Sequence, residues 1–142
     1  MILKAGNIQL NVEVVSRDEA IDRAGEVLVQ EGYVKQDYLE KMHAREALTS
    51  TYMGNLLAIP HGTEDARDEV IESGLSILLL DEKVQWDGND VQVVIGIAGK
   101  DGEHLEILSK IAIACSEEEN VHALLQSKSA EDVLNFFSEV NA

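Results

Sequence analysis

Four histidines, one cysteine and a few hydroxyl groups are the side chains of this acidic sequence that could act as a nucleophile, or as an acid or base near neutral pH. His61 has the most defined setting, because Ala58-Ile59-Pro60-His61-Gly62 delivers it from an apolar run to a rigid corner. Proline fixes the backbone, and glycine lets the backbone of another molecule come close. His61 is therefore a candidate nucleophile or acid/base, the alternative being a turn histidine without chemical function.

Arg45 and His104 are the next candidates. Arg45 lies near the end of a predicted helix that leads back toward the His61 strand. His104 lies in the first turn of another predicted helix, where the positive end of the helix dipole favours a neutral imidazole. The alternatives are a solvated helix-end arginine paired with Glu46, and an exposed first-turn histidine.

The remaining candidates have structural interpretations. His43 is two residues from Arg45 and points away from it on a helix, and His122 begins a polar helix, so both are expected at the surface. Cys115 falls on the apolar stripe of a helix, where a free thiol acts as a small buried hydrophobe. Trp86 is expected to pack at the edge of a sheet.

The elements that would position these side chains alternate between strand and helix patterns. Strand patterns occupy Ile8 to Val14, Leu56 to Ile59, Leu75 to Leu80 and Val91 to Ile97. Helical patterns follow Ser16 and end at Gly32, cover Tyr38 to Glu46, begin after Gly102, and recur from Val121 and from Ser129. The last two strands are expected to be covered on both faces, with a small hairpin or edge excursion at Asp87-Gly88 between them. This order predicts an α/β fold with a sheet between helices.

Composition limits the class of protein. A chain of 142 residues with 45% apolar residues can build one domain with a real core. The net charge of −16 disfavours nucleic acids and anionic membrane surfaces as partners. One cysteine excludes an intramolecular disulfide and a thiolate-rich zinc site. No signal peptide and no apolar run near the ~18–20 residues of a membrane span are present, so we expect a soluble cytoplasmic protein without direct membrane insertion.

The combination of motifs is more specific than any single residue. In order they are Arg45-Glu46, Thr51-Tyr52-Met53-Gly54-Asn55, Ala58-Ile59-Pro60-His61-Gly62-Thr63, Gly96-Ile97-Ala98 and Glu103-His104-Leu105. Together they resemble the mannitol-class enzyme IIA of the bacterial phosphoenolpyruvate-dependent sugar phosphotransferase system, over essentially the whole chain. Segments that resemble the mannitol branch in particular are Gly25-Glu26, Gly32-Tyr33-Val34, Thr63-Glu64 and Val94-Ile95-Gly96-Ile97-Ala98.

The resemblance implies a phosphotransferase with a phosphohistidine intermediate. By it, His61 takes a phosphoryl group from the phospho-histidine of the carrier protein HPr and passes it to a cysteine of the mannitol-specific enzyme IIB, which is membrane-associated through its IIC domain. Arg45 and His104 match the two supporting residues of the family. The implied fold is a single domain over residues 1–142, a mixed β-sheet flanked by helices, in a form that looks free-standing.

This chemistry fits the three residues. A transferring phosphoryl group spreads negative charge over three oxygens, so the site needs a neutral nucleophile and surrounding donors. Arg45 offers a charged fork of donors, and His104 can donate one N–H. Since no nucleotide-binding glycine loop is present, neither ATP nor Mg²⁺ is called for, and no cofactor or metal is expected. The acidic surface suits HPr, which the resemblance implies has a basic face.

Three alternatives remain open. The chain could be a regulatory module whose phosphorylation is read by another protein, as in the nitrogen-related branch, or an enzyme IIA for another sugar such as fructose. Both of those branches share the core arginine and the Pro-His motif. A metal hydrolase using His43, His61 and His104 would need a ligand geometry that no local motif supports.

Overall fold

A computed structural model describes residues 2–141 as a five-stranded sheet between two layers of helices. The strands are β1 (Ile8–Val12), β2 (Tyr52–Gly54), β3 (Leu57–Ala58), β4 (Gly74–Trp86) and β5 (Asn89–Ala98). The α-helices are α1 (Arg17–Gln30), α2 (Tyr38–Leu48), α3 (His104–Ala114), α4 (Glu118–Leu125) and α5 (Ala130–Phe136), with short 3₁₀ helices at Ala5–Asn7 and Glu64–Glu69. The α/β prediction is confirmed. Met1 and Ala142, the ends of the expected domain, lie outside the described residues.

The sheet is mixed, with strand order β1-β4-β5-β3-β2. β1 runs parallel to β4 and β3 parallel to β5, whereas β4 and β5 are antiparallel, as are β2 and β3. β4 and β5 form one long hairpin that turns at Asp87 and Gly88, which have positive φ angles of 52° and 90°. The expected small hairpin is therefore the tip of a large one. The three-residue strand β2 was not predicted.

Both faces of the central hairpin are covered, as its apolar sequence predicts. Leu75, Ile77 and Leu79 face the layer of α3, α4 and α5, while Leu78 and Leu80 face the layer of α1 and α2. The alternation follows the two-residue period of a strand. An antiparallel pair is buried here as completely as the parallel strands in which such apolar runs are usual.

Helix α1 has the predicted boundaries and packs closely on the sheet. The Ser16 hydroxyl accepts a hydrogen bond from the Glu19 N–H at 3.1 Å, which caps the first turn. The Ser76 hydroxyl on β4 donates to the Ala24 carbonyl at 2.9 Å. A Cβ atom at Gly96 would lie 2.4 Å from that hydroxyl oxygen and 3.1 Å from Cβ of Ala24, so a glycine leaves room for this contact between α1 and the sheet.

The two described ends of the chain are joined side by side. The Leu3 N–H donates to Oδ1 of Asn141 at 3.0 Å, and Nδ2 of Asn141 donates to the Leu3 carbonyl at 2.9 Å. The last helix is shorter than the sequence pattern suggests, because α5 ends at Phe136 and turns carry the chain on. Within residues 2–141, no helix is both long and apolar enough to cross a bilayer.

Candidate functional site

An open cleft of about 1130 Å³ lies where β3 and β5 end, and its lining includes His61, Arg45 and His104. β3 and β5 are parallel, so their carboxyl ends meet at the same edge of the sheet. The pairing continues as an isolated parallel bridge between His61 and Ile97. The structure therefore brings the three predicted residues together from a strand end, a helix end and a helix start.

The His61 ring has a defined tautomer. Its Nδ1 atom lies 2.8 Å from the carbonyl oxygen of Ile59, and a carbonyl can only accept a hydrogen bond. Nδ1 therefore carries the proton and donates it. In the neutral imidazole this leaves the lone pair on Nε2, which is the atom available as a nucleophile.

The electrostatic surroundings keep His61 neutral. Burial lowers the pKa of the imidazole below its ordinary value of 6.5. Electrostatic interactions with the Arg45 guanidinium and with His104 lower it further, while the bond to Ile59 and the charge of Glu46 act in the opposite direction. A neutral ring at physiological pH is the form that attacks an electrophile.

The corner that carries His61 is fixed to β5 and to α2. The Ile97 N–H donates to the Pro60 carbonyl at 3.0 Å. On the other side of His61, the Gly62 N–H donates to the hydroxyl of buried Tyr38 at 2.9 Å. A Cβ atom at Gly62 would lie 2.6 Å from Cε1 of Tyr38. The expectation that Gly62 makes room for another molecule is thus replaced: the glycine makes room for the Tyr38 ring.

Arg45 lies in the last turn of α2, half-buried in the cleft wall. Its Nη1 donates to the carbonyl of Thr49 at 2.7 Å, which satisfies an end carbonyl of the helix. Glu46, the partner that the alternative interpretation gave Arg45, instead accepts hydrogen bonds from Thr51 and Trp86. One of the five guanidinium N–H groups donates to Thr49, and Arg45 is part of the cleft lining.

Glu46 is a buried carboxylate, 3% exposed, that fixes the chain leaving α2. It accepts hydrogen bonds from the Thr51 N–H at 2.7 Å, the Thr51 hydroxyl at 2.6 Å and Nε1 of Trp86 at 2.9 Å. Trp86 is completely buried. The expectation of sheet-edge packing for Trp86 was therefore wrong, because its indole N–H binds a carboxylate inside the core.

His104 is the first residue of α3 and is half-buried. At Gly99, a Cβ atom would lie 2.4 Å from both the backbone nitrogen and Cβ of His104. Only a glycine therefore allows the start of α3 to lie against the end of β5. Sequence reasoning placed His104 correctly but missed the glycine that sets its distance from the sheet.

The other candidates lie away from the cleft lining. His43 pairs with Asp22, its Nε2 lying 2.6 Å from the carboxylate, and His122 pairs with Glu118 one turn earlier. The metal-hydrolase alternative requires His43 to lie beside His61 and His104. His43 does not line their cleft. Cys115 is buried, and burial raises the pKa of its thiol to about 11, in keeping with a small core hydrophobe.

The rim of the cleft is partly apolar. Met53 and Leu105 both line the cleft, and they are 41% and 64% exposed. Exposed apolar side chains beside a nucleophile favour docking of a protein surface over a small hydrated ligand. The whole arrangement, a neutral nucleophile with a guanidinium and an imidazole at an apolar rim, can receive an anionic group from a protein partner.

Sequence comparison places this site in a known context. The profile of the family described as "Phosphoenolpyruvate-dependent sugar phosphotransferase system, EIIA 2" matches residues 1–140. The mannitol-specific phosphotransferase enzyme IIA component of Halalkalibacterium halodurans is 58% identical over 140 residues, which cover 99% of this chain and 97% of the relative. The protein with the same description from Bacillus subtilis is 54% identical over 141 residues, with 99% of each chain covered.

Structure comparison agrees with the sequence. A solved complex of enzyme IIAMtl and phosphorylated enzyme IIBMtl from Escherichia coli contains a chain that superimposes with a TM-score of 0.90. That chain is 35% identical, and the match covers 96% of the present chain and 97% of the solved one.

Proposed function

The chain belongs to the EIIA 2 family of the phosphoenolpyruvate-dependent sugar phosphotransferase system, and from that premise we propose that it is the phosphocarrier of a mannitol system, with His61 as the residue that carries the phosphoryl group. One observation supports the choice of His61 above the others. Its proton is held on Nδ1 by Ile59, so Nε2 is free to act as nucleophile in the same cleft as Arg45 and His104.

The first step is transfer from the phospho-histidine of HPr. The Nε2 lone pair of His61 attacks the phosphorus, and the bond between phosphorus and the HPr imidazole breaks as the new N–P bond forms. Positive charge then develops on the His61 ring. The Nδ1–H bond to the Ile59 carbonyl stabilises that charge, because the carbonyl dipole points its negative end at the proton.

Arg45 and His104 bind the oxygens of the transferring group. The guanidinium presents a planar fork of donors with a permanent charge, which matches a phosphoryl group. The imidazole of His104 donates one N–H. No metal ion is needed in this scheme, since these donors offset the charge spread over the three oxygens.

The second step passes the group to a cysteine of the mannitol-specific enzyme IIB. The thiolate attacks the same phosphorus, the N–P bond breaks, and His61 returns to its neutral form. Both partners use the one cleft, whose apolar rim at Met53 and Leu105 offers a docking surface. We place the protein in the cytoplasm, as one phosphocarrier domain over residues 1–142.

Incubation with phosphoenolpyruvate, enzyme I and HPr, followed by mapping of the acid-labile phosphate, tests the proposal. The phosphate is expected on Nε2 of His61, and His61→Ala should take up none while keeping its fold. His43→Ala is the matched control and should label normally, because His43 does not line the cleft. Phosphate on His104 or Cys115 would refute the assignment.

A chase with purified enzyme IIB separates the mannitol carrier from the alternatives. Rapid loss of label to the mannitol-specific enzyme IIB is expected. Transfer to a fructose enzyme IIB instead would change the sugar, and a phosphorylated form that passes its group to neither would favour the regulatory module.

A further inference from the structure

We propose that Tyr38 is a positioning residue for phosphoryl transfer, because its hydroxyl group connects the backbone beside His61 to the end of β5. Tyr38 begins α2 and is 4% exposed. The inference rests on the proposed function, since it assumes that His61 is the phosphorylated residue.

The hydroxyl completes a ladder that the strands leave open. In a parallel bridge between His61 and Ile97, the Ile97 N–H pairs with the Pro60 carbonyl, and the Gly62 N–H would pair with the Ile97 carbonyl. The first bond is present at 3.0 Å. In place of a direct second bond, the Gly62 N–H donates to the Tyr38 hydroxyl at 2.9 Å, and this hydroxyl donates to the Ile97 carbonyl at 2.7 Å.

The direction of this chain of bonds is fixed. The Ile97 carbonyl can only accept, so the hydroxyl proton must point to it, and the oxygen lone pairs remain for the Gly62 N–H. Burial raises the pKa of Tyr38 to about 12, although the Gly62 N–H acts in the opposite direction. The hydroxyl therefore keeps its proton at every pH at which a phosphohistidine carrier works, and the relay does not switch.

The contact between Gly62 and Tyr38 is close enough to set a position. A Cβ atom at Gly62 would lie 2.6 Å from Cε1 and 3.0 Å from Cζ of the ring, so the backbone lies directly against the ring. The backbone is thus held on both sides of His61. The Pro60 carbonyl accepts a bond from β5, and the Gly62 N–H donates one to Tyr38. Removing the hydroxyl leaves the Gly62 N–H and the Ile97 carbonyl without this partner, and the backbone directly after His61 gains freedom.

The test compares Tyr38→Phe with Tyr33→Phe. Tyr33 is a matched control, because it is also buried, at 1% exposed, and its hydroxyl accepts a bond from Nδ2 of Asn7 at 2.9 Å, yet it does not line the cleft. Single-turnover and steady-state transfer from phospho-HPr are measured for both, together with denaturant unfolding and exchange of the Gly62 amide proton.

For Tyr38→Phe, the kcat of transfer should fall by roughly ten- to a hundredfold, the range expected for a displacement of about 1 Å at reacting atoms. The KM for phospho-HPr should stay within about twofold, since the docking rim is unchanged. The Gly62 amide should exchange at least about tenfold faster. Tyr33→Phe should lose comparable stability and keep kcat within about twofold.

Equal transfer rates in the two variants overturn the inference, as does a Gly62 amide that is already unprotected in the wild-type protein, a measurement that needs no variant. Failure of the wild-type protein to carry phosphate on His61 would instead remove the proposed function. The two failures are therefore distinguishable.

Discussion

The proton on Nδ1 of His61 decides which ring nitrogen can react. Free imidazole exchanges between two tautomers, whereas the Ile59 carbonyl selects one of them before any partner arrives. The lone pair on Nε2 is therefore present in the resting protein, and in the proposed transfer no proton has to move within the ring before the attack.

The lowered pKa of His61 gives a pH prediction. Since the folded protein resists protonation of the ring, its NMR titration midpoint should lie below the ordinary 6.5. The unfolded chain binds the proton more readily than the folded one. Above pH ~6.5 this group therefore does not lower the free energy of unfolding, and it lowers it increasingly as the pH falls toward the folded pKa. His61→Ala should remove that part of the acid sensitivity in urea unfolding. A midpoint at or above 6.5 would contradict the desolvated environment.

Arg45→Lys should slow phosphoryl acceptance by about tenfold or more, less than the ~100- to 1,000-fold typical for loss of a transition-state donor. The lysine keeps the charge but not the planar fork. Rapid-quench kinetics with phospho-HPr measure the effect, and Arg23→Lys on α1, outside the cleft lining, is the control. An unchanged rate would reduce Arg45 to a helix-end residue that binds Thr49.

His104→Ala should affect onward transfer more than stability. The variant is expected to accept phosphate at a reduced rate and to pass it poorly to enzyme IIB, because the first residue of α3 no longer donates to the phosphoryl group. Both half-reactions are followed in single turnovers beside thermal melting, with His122→Ala on α4 as control. Normal onward transfer with a lowered melting temperature would make His104 a structural residue.

Sequence predicted which side chains meet in the cleft better than it predicted the groups that hold them. His61 stands out because Pro60 and Gly62 flank it, and its chemistry is that of a single side chain. Tyr38 has no such signal, since nothing in a helix start predicts that its hydroxyl will reach the end of a strand far along the chain. Positioning of this kind depends on tertiary contacts, which a linear pattern does not encode.

At the scale of elements, the turn after α2 depends on one buried carboxylate. Glu46 accepts bonds from two donors of Thr51 and one of Trp86, so it ties the helix end to the turn and to the tip of the β4–β5 hairpin. Arg45 precedes it in the same helical turn. The position of the guanidinium therefore depends on how firmly this turn is held.

Glu46→Gln should lower the free energy of unfolding by about 2 kcal/mol. The amide NH₂ of glutamine would face an N–H or O–H group from which the carboxylate accepts a hydrogen bond. Urea unfolding measures the loss, and exposed Glu40→Gln on the same helix should change stability by less than about 0.5 kcal/mol. Equal effects of the two substitutions would show that the buried network contributes nothing.

Strand and helix patterns predicted most elements, with characteristic exceptions. The capping serines, Ser16 and Ser129, mark α1 and α5 correctly, because a cap is a local interaction. The short strand β2, which the patterns missed, depends on pairing with β3, and β3 in turn pairs with β5. Likewise, the length of the β4–β5 hairpin is set by pairing across the turn, which apolar runs alone do not reveal.

At the scale of the whole molecule, the net charge of −16 acts on encounter with partners. The association rate with a basic HPr should fall by about tenfold or more when ionic strength rises from ~0.02 to ~0.5 M, because screening shortens the reach of the attraction. Stopped-flow binding measures this rate. Asp68→Asn, which lines the cleft, should lower the rate more than Glu131→Gln on α5. A rate independent of salt would mean that the charge serves solubility alone.

The asparagine that joins the two described ends makes the fold close to a ring. Asn141 binds both backbone groups of Leu3, so a short flexible linker could connect the ends without moving either. The position of His61 in its cleft then does not depend on which residue the chain starts from. A circularly permuted chain, opened at an exposed turn such as Gly32 or Gly88, has every contact of the site available to it and should assemble the same cleft.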